Sequence, residues 1–133
     1  MATRENWANV IILTGTPGVG KTTVCRTLAG EDPHGVHLTG DSFFEFLAHP
    51  IAPIDPASKT QNTVVTTATA RAARAYAEGG YRVYLDGIFG PWFMDHLLLN
   101  LGPACKVDYI ILRSPLEPVL RRATSRPDNP APA

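Results

Sequence analysis

The chain has 133 residues, with 12 basic and 12 acidic side chains, 44% hydrophobic residues, 12 prolines, 11 glycines and two cysteines. That length suits one domain around one core, the balanced charge gives no general attraction for nucleic acid or acidic membranes, and two cysteines exclude a disulfide framework. Any anion must be held by a local arrangement. With no charged-then-apolar leader before Val10 and no apolar run near about 18 residues, the expectation is a cytoplasmic chain with no membrane partner.

Residues 1–9 are polar and aperiodic, and residues 10–13 (VIIL) then form an unbroken, β-branched apolar run, the pattern of a central strand buried on both faces. Residues 14–20 read as a glycine-rich loop, and 21–29, with Val24, Leu28 and Ala29 apolar, as a helix stopped by Gly30. A second strand is expected at 36–39, and a short helix at 42–47 led by Asp41 or Ser42 as cap. Pro50, Pro53 and Pro56 then punctuate a loop. Residues 58–78 predict a long helix with Val64, Ala68, Ala72 and Ala75 on its packed face. Its threonines and valines are mediocre helix formers, so it depends on packing, and Gly79-Gly80 ends it. A third strand at 81–85, a helix at 92–101 begun by Pro91, a fourth strand at 107–112 and a basic helix at 116–125 complete the pattern. Strands alternating with helices predict an α/β fold with a parallel sheet and right-handed crossovers. The domain is expected to span 1–133, with its core at 10–126 and an irregular tail at 127–133.

Gly15-Thr16-Pro17-Gly18-Val19-Gly20-Lys21-Thr22 has the spacing G-x-x-x-x-G-K-[ST] and lies between an apolar strand and a helix, as a phosphate-binding loop requires. The glycines let the backbone curl so that successive N–H groups face phosphate oxygens, and the helix adds its positive N-terminal end. Lys21 is then placed to bridge the β- and γ-phosphates and Thr22 to give its hydroxyl to Mg²⁺, with Thr23 serving the helix start or a neighbouring phosphate. A dinucleotide-binding reading is weaker, because the glycine spacing is not G-x-G-x-x-G and the Lys21-Thr22 pair would have no role in it.

Asp41 follows the second strand, where ligands of open α/β sheets bind. It either takes the proton of an attacking hydroxyl or caps the next helix. Asp86 ends the third strand, in the position of an acid that holds Mg²⁺ directly or through water, or else closes an Asp-Gly turn. Arg121, Arg122 and Arg126 either reach over the phosphates or form a solvated helix face with Glu117. His34, His37, His49 and His96 lack metal-ligand spacing, and Cys25 reads as packed. Phe43, Phe44, Phe46, Trp92 and Phe93 wall either an apolar pocket or the core.

The run from Val10 to Thr23, Gly40-Asp41-Ser42-Phe43, Tyr109-Ile110-Ile111-Leu112-Arg113 and Leu120-Arg121-Arg122-Ala123 resemble the P-loop small-molecule kinases, which include shikimate and gluconate kinases and the zeta-toxin kinases. The likeness is greatest to the chloramphenicol phosphotransferase-like branch. The resemblance implies a three-layer P-loop NTPase fold and an ATP- and Mg²⁺-dependent phosphotransferase that passes the γ-phosphate to a small hydroxyl-bearing substrate. It also implies Asp41 as base and Arg121, Arg122 and Arg126 as lid arginines. The family has five strands in the order 2-3-1-4-5. Here residues 127–133 (PDNPAPA) can form neither helix nor central strand, so the expectation is either a fragment cut inside the lid or a C-terminally shortened relative, with the order 2-3-1-4 and an edge open to a second copy. The rival reading is a nucleotide-binding module or slow NTPase. A nucleic-acid partner ranks below both, for want of a basic stripe.

Overall fold

The apolar run opening at Val10 forms strand β1 (Val10–Gly15), whose first five residues are buried. The structure, a computed structural model, describes residues 8–15, 20–87 and 91–113, and for 91 and 92 the backbone alone. The elements that follow are α1 (Lys21–Glu31), β2 (Gly35–Thr39), α2 (Gly40–Glu45), a 3-10 turn (Pro56–Ser58), α3 (Lys59–Glu78), β3 (Arg82–Asp86), α4 (Pro91–Leu101) and β4 (Val107–Leu112). All strand pairs are parallel, in the order β2-β3-β1-β4. The fold is therefore the expected α/β one, with β1 central. The expected helix at 116–125 lies outside the described residues.

Alternation along the strands splits the core between the two sheet faces. Val10, Ile12, Val83 and Leu85 pack with Ala70, Ala73, Leu97 and Leu101 beneath α3 and α4. Ile11, Leu13 and Tyr84 pack with Ala8, Cys25 and Ala29 beneath α1. Each large apolar side chain so buried contributes about 1.5–3 kcal/mol. No helix among the described residues is long and apolar enough to cross a membrane.

Beyond shifts of one or two residues at strand ends, three features differ from expectation. Helix α1 runs through Gly30, an exposed residue that a Cβ would not crowd, and stops at Asp32 in extended conformation (φ −101°, ψ 116°). The stop is set by Pro33, whose ring bars its predecessor from the helical region. Helix α2 begins two residues early because β2 runs straight into it: Thr39 is the N-cap and makes no side-chain cap bond, so neither Asp41 nor Ser42 caps. The third concerns which side of α3 is packed. Its buried residues are Asn62, Val65, Thr66, Thr69, Ala70 and Ala73, while Val64 is 59% exposed and Ala68 and Ala75 are also exposed. Threonine can face inward because its hydroxyl is satisfied within the helix: Thr66 Oγ1 donates to Asn62 O and Thr69 Oγ1 to Val65 O, each at 2.8 Å.

Candidate functional site

Strand register brings the polar residues to one end of the sheet. Leu13 and Thr39 both pair with Asp86, and Gly15 pairs with Leu112, so β1, β2 and β3 present their carboxyl ends together. Helix α1 starts at this same end. Its N-cap is Gly20, at φ 89° and ψ 18°, a left-handed conformation that favours glycine, and Val24 N donates to Gly20 O at 3.0 Å. No side chain caps α1 and no acid stands in its first turn, which leaves its positive end available to an anion. Lys21 is half-buried, Thr22 and Thr23 are exposed, and Lys21 makes no ion pair among the described residues. Gly15 closes β1; Thr16, Pro17, Gly18 and Val19 lie outside the described residues, as do Arg121, Arg122 and Arg126.

Asp86 is 2% exposed and meets His37 Nε2 at 2.6 Å, its one hydrogen bond among the described residues. His37 pairs in register with Tyr84, two residues before Asp86, so both side chains project from the α1 face of the sheet. Cys25, fully buried on α1, joins them. Burial, and then the Asp86 charge, push its thiol up to about 12. One donor atom from each of Cys25, His37 and Asp86 lies within 4.8 Å of the others.

A second buried aspartate makes an instructive contrast. Asp32, at the opposite end of the sheet, accepts from Arg82 Nη1 at 2.9 Å, Tyr84 Oη at 2.8 Å and His34 N at 3.0 Å. Its burial alone raises the carboxyl, but these donors and the Arg82 charge hold it below the ordinary value. Asp32 is fully compensated by its surroundings. Asp86 has a histidine but no lysine or arginine ion pair among the described residues. A buried carboxylate with an oxygen left over is suited to a cation or to water held on a cation.

On the other face, Gly40 and Gly87, the first residues past β2 and β3, border a cleft of about 1210 Å³. Asp41, Phe44 and Glu45 of α2 form one wall, residues 53–56 another, and Ser58, Asn62, Thr66 and Thr69 the side toward α3; Phe93 and His96 come from α4. Asp41 is exposed at this cleft and makes no hydrogen bond or ion pair among the described residues, so its carboxylate is available to a hydroxyl. Asn62 Nδ2 donates to Pro53 O at 3.1 Å and to Ser58 Oγ at 3.0 Å, which pins the proline loop to α3. Phe44 and Phe93 do line the cleft, whereas Phe46 is 76% exposed and stacks edge-on with Phe43.

Two features escape the sequence reading. The polar stripe of Ser58, Asn62, Thr66 and Thr69 was legible as residues three or four apart, but the competing Val64 stripe is the more apolar. His37 and Cys25 next to Asp86 had no such signal, since the register of β2 on β3 and the packing of α1 on the sheet join them.

A family model described as an AAA domain matches residues 11–132. No curated protein matches the sequence. Among solved structures, a chain of the Pnkp1/Rnl/Hen1 complex superposes with a TM-score of 0.63 at 18% identity, over 85% of this chain and 38% of that one. A sugar kinase from Janibacter sp. HTCC2649 gives 0.60 at 21%, over 88% and 66%. Shikimate kinase from Acinetobacter baumannii, in complex with shikimate, gives 0.51 at 21%, over 96% and 68%. This chain thus spans 38% to 68% of the length of these three structures. At such identities the likeness is one of fold.

Proposed function

The chain belongs to the AAA domain family and has a P-loop kinase-like fold, and on that premise we propose that it is a phosphotransferase moving the γ-phosphate of ATP to a hydroxyl of a small molecule. The observation that carries the reading is convergence: the head of α1, the buried Asp86, and Asp41, which is unpaired among the described residues, all stand at the carboxyl ends of adjacent parallel strands, and Asp41 borders a cleft large enough for an acceptor.

In this mechanism residues 15–23 cradle the triphosphate through backbone N–H groups, with Lys21 against the β- and γ-oxygens. Thr22 and Asp86 would hold Mg²⁺, which when bound would neutralise charge on the transferring group; the Asp86 oxygen that has no partner among the described residues fits that role. Asp41 accepts the proton of the acceptor hydroxyl as its oxygen attacks. Arg121, Arg122 and Arg126 steady the phosphates from the lid. The apolar cleft walls exclude water and orient the acceptor. We place the chain among chloramphenicol phosphotransferase-like kinases, and the outer edge of β4, which has no partner strand among the described residues, is read as a contact for a second copy.

A panel of hydroxyl compounds, RNA 5′-hydroxyl ends included, incubated with ATP and Mg²⁺ and scored for phosphorylated product tests the reading. Product is expected with a small acceptor, and Asp41→Asn lowers its rate by about 10²–10⁴-fold while ATP still binds. ATP bound but no product from any acceptor, with Asp41→Asn leaving ATP turnover unchanged, leaves the nucleotide-binding module as the reading. The fold of the Pnkp1/Rnl/Hen1 RNA repair complex is the reason to include RNA ends.

A further inference from the structure

We propose that Cys25, His37 and Asp86 form a binding site for a thiophilic divalent cation of the Zn²⁺ class, separate from any Mg²⁺ held with nucleotide and sharing only Asp86 with it. Three observations meet here. The donors are one sulfur, one imidazole nitrogen and one carboxylate oxygen, brought from α1, β2 and β3 to within 4.8 Å of one another. That donor set suits Zn²⁺ or Co²⁺, whereas Mg²⁺ takes oxygen. Asp86 is 2% exposed with one hydrogen-bond partner, and Cys25 is 0% exposed with none among the described residues, so two buried polar groups point at a common space without full satisfaction.

Zinc ligands of this kind stand about 3.3–3.6 Å apart around a tetrahedral ion, so the widest pair closes by up to about 1 Å and the His37–Asp86 pair, at 2.6 Å, opens by a little less, both within side-chain rotation. His37, 20% exposed, gives the ion its way in. On binding, the Cys25 Sγ–H bond breaks, its proton passes to solvent and a sulfur–metal bond forms; the His37 proton that faced Asp86 shifts to the other ring nitrogen. No electron is transferred. Three protein ligands leave a fourth position for water, the arrangement of an open rather than a closed site.

The probe is Co²⁺, titrated into the purified chain without nucleotide, so the result does not depend on the transferase reading. One Co²⁺ per chain is expected, with the near-ultraviolet charge-transfer absorption of a cobalt thiolate and displacement by Zn²⁺. Cys25→Ala abolishes that absorption, Cys105→Ser keeps it, and His37→Gln weakens binding by at least about ten-fold. His37 lies outside both apolar clusters, so its variant folds even if a change at Cys25 does not. Absence of the charge-transfer band, its survival in Cys25→Ala, or undiminished affinity in His37→Gln overturns the proposal.

Discussion

Asp32 and Asp86 are buried alike, at 6% and 2% exposure, but only the first is surrounded by donors. Arg82, which also donates through Nε to Ala8 O at 3.0 Å, ties the end of α1 to β3 and to the entry of β1. Because the folded-state value of Asp32 lies below the ordinary 3.8, the unfolded chain binds the proton more readily. The stability Asp32 contributes is therefore complete above the ordinary value and drains away as pH falls through the folded value. Asp32→Asn is expected to cost about 2–3 kcal/mol at pH 7 and to flatten the acid limb of stability below about pH 4, read from urea midpoints across pH. A variant with the acid limb of the native chain would contradict this account. The candidate phosphate-loop residues and Asp41 are marked in the sequence by their immediate chain neighbours. His37 is not, because its partner is 49 residues away.

Helices were found readily and oriented less well. The strand-loop-helix of the phosphate end and the Pro91 start of α4 were legible from local chemistry, yet α1 ran through Gly30 because Pro33, not glycine, ends it. The buried side of α3 turned on cleft and sheet geometry that no periodicity encodes when alanine, threonine and valine occupy all sides. The test is a paired substitution. Val65, 4% exposed, loses about 1–3 kcal/mol on change to alanine, while Val64→Ala stays within about 0.5 kcal/mol of the native chain. Equal losses in thermal or urea unfolding would return the packed face to the Val64 stripe.

At the scale of the sheet, the two outer strands among the described residues differ. β2 is half-buried throughout, whereas β4, apolar enough for an interior strand, exposes Tyr109 at 46%, Ile110 at 39% and Ile111 at 58%. Among the described residues β4 pairs with β1 alone, and a strand edge of that kind with such side chains is a template for another strand. Concentration-dependent self-association by sedimentation is expected, and Ile111→Lys, on an already exposed position, should weaken it without lowering the melting temperature; a strictly monomeric native chain would remove this contact from the proposed function. The sequence by itself determined the α/β class and marked the candidate phosphate loop, because buried parallel strands and a glycine-rich turn impose their patterns locally; the strand order β2-β3-β1-β4 was expected only from the family resemblance. Only the tertiary structure decided which side of α3 is packed, that the cleft is lined by Asn62 and the threonines, and that Cys25, His37 and Asp86 meet. Those outcomes depend on register between parallel strands and on helix rotation, which arise from contacts among residues far apart in the chain.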